Sequence, residues 1–345
     1  MHPTFGRKPW IVLAVLAVVA SSWPAAQAIP AFARKYDLSC TACHSAWPTL
    51  NDYGRKFKEN GYRLEPGTAA PDAMKKVDDN LFLEAGNFLT GRIKGYLYDK
   101  KDTSDRWKLE PGHEVELMLA GNAGNDFSFW VEAEAEDETD FNVALETVVG
   151  GWHPRQEVNI VGGTGSLFWA DPYQTLADGG RRMTRDHKAP LDAGFVIGEK
   201  LRKGTPFVTL YGRKSGFFYS ATIASGTKDP MGADEKDAAI RLAYDFPWFT
   251  IGGFYLDGSR GGDTFSYLWD SNGDGSINIL DDVGSGNSAT AVDYSRTGID
   301  FQVEQGNLYI QGLYLKAKDD VYDPADDVIS GDQSNAAYYI QGFYV

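Results

Sequence analysis

From residue 81 onward, apolar and polar positions alternate with a period of two. The segments run about eight to twelve residues, are rich in Tyr, Phe, Trp and Val, and are separated by turns. The spacing predicts strands near 82–98, 113–121, 126–136, 141–150, 156–163, 206–213, 217–225, 236–245, 248–257, 294–305, 307–317 and 335–345. The links between them alternate in length. Even-numbered strands end in tight turns: Gly121–Asn125, Gly151–Arg155, Arg213–Gly216, Phe246-Pro247 and Gln305-Gly306-Asn307. Odd-numbered strands end in longer links, 99–112, 164–205, 226–235, 258–293 and 318–334, with the short acidic stretch 137–140 as the exception. Strands of about ten residues suit a tilted crossing of a lipid bilayer, and short turns on one side with long loops on the other are the habit of transmembrane β-barrels. A soluble sandwich has no reason to sort its loops by parity. The expected fold is therefore all-β, an antiparallel transmembrane barrel with about twelve strands visible, its N-terminus on the short-turn side. Tyr96, Tyr98, Phe127, Phe129, Trp169, Tyr219, Trp248, Tyr309, Tyr314, Tyr338 and Tyr344 fall near strand ends, as an interfacial aromatic girdle would.

The first 80 residues follow another pattern. Arg7 and Lys8 precede an apolar run from Trp10 to Ala20, and Ala26-Gln27-Ala28 is a small-x-small cleavage site. This reads as a secretory signal peptide over 1–28, too short to span a bilayer. An uncleaved anchor is the other reading of that run. Leu50, Tyr53 and Phe57 recur at helical spacing with Gly54 on the same face, and Asn60-Gly61 is a helix stop. Residues 29–66 form a small helical segment, 67–80 a polar linker and 81–345 the barrel.

Charge sharpens the division. The chain carries a net charge of −15, yet 29–66 holds Arg34, Lys35, Arg55, Lys56, Lys58 and Arg63 against Asp37, Asp52, Glu59 and Glu65. A basic segment joins an acidic body, which makes nucleic acid a poor partner.

The only two cysteines stand in Cys40-Thr41-Ala42-Cys43-His44. CxxCH is the attachment motif of c-type haem: two thiols one helical turn apart add to the vinyl groups, and the histidine reaches the iron. A redox dithiol would want a βαβ setting, and a zinc site a second ligand pair; neither is evident. Export fits, because such haem is attached outside the cytoplasm. The cofactor-binding residues are Cys40, Cys43 and His44, with His44 ligating the iron. For the sixth position the chain offers Met74, His113, His153 and His187.

The stretch Ile29–Tyr62 resembles the start of the fused outer-membrane monohaem cytochrome–porins, the iron-oxidase type of Fe(II)-oxidising bacteria. The resemblance rests on Pro30, Phe32, Ala33, Arg34, Cys40, Cys43, His44, Pro48, Leu50, Gly54, Arg55, Phe57, Gly61 and Tyr62, and Ser166–Arg182 is similar to that family's third outer loop. It implies a haem segment at or inside the periplasmic mouth of an outer-membrane barrel of about sixteen strands. It also implies electron flow from an extracellular donor, Fe(II) for the best-known members, through one haem to a periplasmic cytochrome. The residues leave open a diffusion porin whose haem segment is a plug, and a periplasmic monohaem protein with a soluble β domain.

Asp270-Ser-Asn272-Gly-Asp274-Gly275-Ser276-Ile-Asn-Ile-Leu-Asp281 fits a calcium-loop template, with oxygen ligands from Asp270, Asn272, Asp274, Ser276 and Asp281 and the turn at Gly275. An Asx-rich turn is the plainer reading. The links are acidic at Asp99, Asp102 and Asp105, at Asp137, Glu138 and Asp140, and at Asp319, Asp320, Asp323, Asp326 and Asp327. These residues are either solvated loops or a collector of cations at the outer face. Glu132, Glu134 and Glu136 alternate inward on the third strand, as a polar lumen allows. No Gly-x-Ser-x-Gly elbow, phosphate loop or His-Glu-x-x-His motif is present.

Overall fold

A computed structural model describes residues 30–46, 49–65, 74–78, 81–84, 89–99, 108–176, 204–225, 236–260, 265–268, 283–286, 292–323, 326 and 328–344. Three short helices, α1 (Pro30–Tyr36), α2 (Cys40–Cys43) and α3 (Asp52–Glu59), come first. Twelve strands follow in one antiparallel sheet: β1 (Leu89–Asp99), β2 (Lys108–Ala123), β3 (Phe127–Glu136), β4 (Ala144–Arg155), β5 (Val158–Ser166), β6 (Gly204–Lys214), β7 (Phe217–Ser225), β8 (Lys236–Asp245), β9 (Phe249–Arg260), β10 (Val292–Gln305), β11 (Leu308–Asp323) and β12 (Val328–Tyr344). Each pairs with its neighbour in sequence, so the sheet is an up-and-down meander. Among the described residues no ladder joins β12 to β1.

The alternation of side chains is inside-out relative to a soluble protein. Along β8, Ile240 and Leu242 are exposed, while Arg241 between them is fully buried. Along β10, Ile299 is 61% exposed and Asp300 only 3%. The same holds on β6 and β7, where Val208, Leu210 and Ile223 face out and Thr209, Thr222 and Ser220 face in. Water on the outside would penalise so large an apolar face, whereas hydrocarbon would not. This is the wall of a membrane-spanning β-barrel. Phe127, Trp152, Phe217, Tyr244, Phe246, Trp248 and Tyr344 stand exposed at the tight-turn ends, forming one aromatic girdle. Trp169 and Tyr309, expected in that girdle, are not part of it: Tyr309 is buried, and Trp169 belongs to a segment folded inward. If the outward face meets lipid, Ile240→Arg should destabilise the folded barrel in a bilayer by about 2–4 kcal/mol. Urea unfolding in vesicles measures this, and an unchanged midpoint would contradict the lipid assignment.

The sheet curls around its contents. The N-terminal segment touches β2 through Lys35 and Asn122, β6 through Glu59 and Arg213, and β10 through Arg55 and Glu304. One small segment can meet the second, sixth and tenth strands only if the sheet bends round it.

Three details differ from the sequence reading. The link expected at 318–334 is mostly strand, because β11 and β12 stay paired out to Asp323 and Val328. Asp319, taken for a loop residue, is buried and pairs with Arg296 at 2.6 Å. The linker 67–80 contains a strand, Met74–Asp78, paired with Leu81–Glu84 in a separate hairpin, so β1 begins only at Leu89.

Candidate functional site

The CxxCH residues occupy one helical turn and the start of an extended stretch. Cys40 and Cys43 open and close α2, and the His44 backbone N–H donates to the Cys40 carbonyl. Both thiols are unlinked and half-buried. Burial, and then the neighbouring Cys40, raise the Cys43 thiol above its ordinary pKa. His44 begins a short strand, His44–Ala46, that pairs with Thr49–Leu50. Two thiols on one turn followed at once by an imidazole are the donor set that covalent haem attachment needs, so the residues fit that group.

What holds this turn is local. Asn51 caps α3 by accepting from the Gly54 N–H at 2.8 Å, while its amide donates to the Ala42 carbonyl at 3.0 Å and its backbone N–H to the Cys43 carbonyl at 2.9 Å. One asparagine therefore ties α3 to α2. Gly54 lies against the motif: a Cβ there would sit 2.1 Å from the Cys43 carbonyl oxygen. The expected apolar face of α3 is only partly realised. Phe57 is buried against Phe32, Tyr36 and Tyr62, and Gly54 against the motif, but Tyr53 is exposed.

The segment is docked at the tight-turn end of the barrel. Lys35 Nζ donates to Asn122 Oδ1 at 3.0 Å, and Arg63 to the Phe127 carbonyl at 2.6 Å. Arg34 donates to the Leu89 carbonyl, Ser45 Oγ to Glu304, and Arg55 pairs with Glu304 at 3.3 Å. The largest contact is Glu59 with Arg213. Arg213 Nε and Nη2 reach the two carboxylate oxygens at 2.7 and 2.6 Å, and Arg213 also holds Asp245. Burial pushes the Glu59 carboxyl up, and the Arg213 bond and charge oppose it. The basic residues divide by role. Arg55 bonds Glu304 on the wall and Lys58 the Asp171 carbonyl of the inner loop, whereas Lys56 is exposed and pairs with Asp52 in its own helix.

The segment after β5, expected as the third outer loop, turns into the lumen over 167–176. Leu167, Phe168, Tyr173 and Leu176 are buried there. Thr175 donates to Asp300 at 2.7 Å, Gln302 to the Tyr173 carbonyl, and Lys58 to the Asp171 carbonyl at 2.9 Å. Arg241 clamps Asp300 with two bonds and reaches Asp171 at 3.3 Å. The stacked pair Phe32–Tyr62 at 4.7 Å continues through Trp130 at 5.8 Å to Trp169 at 5.9 Å, joining plug, wall and inner loop.

The candidates for a sixth iron ligand separate. His153 lies against the plug, but both its nitrogens are engaged: Nε2 with Ser128 Oγ at 2.7 Å and Nδ1 with Tyr211 Oη at 2.9 Å. Gly61, at φ +64°, packs directly on its ring. His113, at the outer end of the strand expected over 113–121, is buried in β2, near the end far from the N-terminal segment, and its Nδ1 meets Asp137 at 2.8 Å. Met74 starts the strand Met74–Asp78. His187 and the calcium-loop residues Asp270, Asn272, Asp274, Ser276 and Asp281 lie outside the described residues. Sequence reasoning missed the Glu59–Arg213 clamp and a carboxylate cluster around His113. Their partners are far apart in sequence or joined by a break in the strand pattern.

No known family profile matches the chain, and no curated protein does. Among solved structures it is similar to OmpT with loop L8 deleted, an outer-membrane protein of Vibrio cholerae, with TM-score 0.46 and 11% identity over 74% of this chain and 77% of that one. It is also similar to OccAB3 of Acinetobacter baumannii, with TM-score 0.29 and 10% identity over 69% and 57%. A third likeness is to OmpF of Salmonella typhi in complex with daunomycin, with TM-score 0.29 and 10% identity over 74% and 96%. The assignment of a barrel wall rests on the strand pattern and on the inside-out burial of its side chains.

Proposed function

We propose that this chain is an outer-membrane monohaem cytochrome–barrel fusion that passes electrons from an extracellular donor, Fe(II) first among them, to a periplasmic carrier. The observation that carries the reading is that the segment bearing the CxxCH turn docks, through Glu59 and Arg63, at the tight-turn end of a membrane barrel wall. Haem held by Cys40, Cys43 and His44 would supply a one-electron acceptor and donor. The protein's own residues do the rest. Asn51 and Gly54 fix the turn that presents the thiols, and Glu59, Lys35 and Arg63 fix the segment to the wall. The inner loop and the N-terminal segment bond to each other and to the wall at this end, which favours electron passage over free diffusion of solutes. The exposed Lys56 on the plug suits an acidic periplasmic partner. Nothing in the apolar outer face suits the alternative of a soluble periplasmic β domain.

The test uses the intact chain in sealed vesicles. Added Fe²⁺ should reduce the haem quickly, and a reduced protein too large for the lumen should do so far more slowly. Haem staining on a denaturing gel should vanish when Cys40 and Cys43 are both replaced by alanine. A haem that is present but inert to Fe²⁺, together with free solute flux, would favour the diffusion porin and sink the proposal.

A further inference from the structure

We propose that the inner wall of β2 and β3 holds a divalent transition-metal cation between His113, Glu114 and Glu136, with Glu116 and Glu134 as the next step inward. His113, Glu114 and Glu136 each offer a ligand atom, and these atoms lie within 4.8 Å of one another; the same is true of Glu114, Glu116 and Glu134. His113, Glu114 and Glu116 are all buried. Register places Glu114 directly opposite Glu136, and Glu116 directly opposite Glu134.

A local break in the ladder makes the cluster. His113 and Glu114 are adjacent in sequence, so a regular strand would send them to opposite faces. The pairing of β1 with β2 is irregular there: Lys94 pairs with Glu114, but Tyr96 pairs with Glu110. The extra residues on β2 form a bulge, and bulges re-aim a side chain. The break follows Pro111-Gly112, where proline offers no ladder donor. His113 can thereby share a site with the carboxylates.

Charge and donor chemistry point to a cation. Like charges directly opposite on a sheet are destabilising. Glu114, Glu116, Glu132, Glu134 and Glu136 share this wall; among the described side chains Arg92 pairs with Glu116 and lies 3.8 Å from Glu114, and Lys94 is opposite Glu114 in register. One imidazole nitrogen with carboxylate oxygens selects a first-row transition ion over calcium or magnesium. His113 also has an outer partner of the kind that metal-bound histidines use. Its Nδ1 meets the Asp137 carboxylate at 2.8 Å, which fixes the tautomer and directs Nε2 as the ligating nitrogen. The site lies eight residues along β2 from Asn122, where the plug docks, which is roughly 27 Å of strand. It would collect and hold the cation near the long-loop end rather than contact the haem, and it exists whether or not the electron-transfer reading is right.

Zn²⁺, which undergoes no redox change, is the probe. The full chain in detergent is dialysed against Zn²⁺ with excess Ca²⁺ to occupy oxygen-only sites, and bound zinc is measured per chain. The wild type should bind one tight equivalent. His113→Asn and the double change Glu114→Gln with Glu136→Gln should lose it. Asp137→Asn, outside the ligand set, should weaken it about tenfold to a hundredfold. Heat-dependent gel migration reports that each barrel is folded, and haem staining should be unchanged in all. Absence of a tight equivalent in the wild type overturns the site. So does equal zinc uptake by the wild type, His113→Asn and Asp137→Asn.

Discussion

Arg213→Ala should release the N-terminal segment from the barrel wall and open the lumen. Arg213 is buried and holds both oxygens of Glu59, the Asp245 carboxylate and the Tyr173 hydroxyl. Removing the guanidinium strands two carboxylates, one of them 4% exposed at its side chain. Truncating one partner of a buried pair costs about 3–5 kcal/mol, far more than a surface ion pair contributes. The remaining contacts of the segment are the Arg55–Glu304 pair, the packing of Tyr62 on Trp130 and hydrogen bonds worth about 1 kcal/mol each, so the segment should undock more readily than the barrel unfolds. The expected readout is higher channel conductance in planar bilayers and protease cleavage within 29–66, with the barrel's heat-dependent gel shift intact. Conductance at the wild-type level with the segment still protected would mean that the clamp does not hold the plug.

Gly54→Ala should separate haem attachment from barrel assembly. In a helix interior this change alone favours the helix by about 1 kcal/mol. Here the new Cβ would lie 2.1 Å from the Cys43 carbonyl oxygen, which is backbone and cannot rotate aside. Overpacking against backbone belongs at the upper end of the usual cost, about 3 kcal/mol, so the clash outweighs the helix gain. The CxxCH turn must shift away from α3, and haem staining per folded barrel should fall severalfold. Gly150→Ala is the control, since a Cβ at Gly150 meets nothing within 4 Å. Equal haem loading in both variants would show that the packing of α3 on the motif is dispensable.

The glycines of the N-terminal motif acquire distinct physical roles in this light. Gly54 is needed because α3 crosses the Cys43 carbonyl too closely for any side chain. Gly61 is needed twice over, by its positive φ and by the His153 ring beneath it. Phe32, Phe57 and Tyr62 form one aromatic cluster, with Tyr36 donating to the Tyr62 carbonyl at 2.7 Å. In a segment this small, the packing partners come from within the motif and from the barrel wall rather than from a core of its own.

The strand positions, the parity of the links, the short helix and the single turn that carries Cys40 and Cys43 were legible in the sequence, because each depends on residues close together in the chain. Period-two alternation marks a strand wherever its two faces meet different environments. What only the tertiary structure decided depends on partners that no local pattern relates. Glu59 and Arg213 meet across 154 positions, and Lys35 and Asn122 across 87. The segment after β5 lies in a long link expected on the outer side, yet it folds inward: Leu167, Phe168, Tyr173 and Leu176 are buried, and Arg241, Asp300 and Gln302 on distant strands satisfy its polar groups. His113 reads as an isolated histidine beside a proline until a bulge turns it toward carboxylates on the neighbouring strand. Alternation along one strand tells which side chains face in; only the curling of the sheet around its contents determines what they meet there.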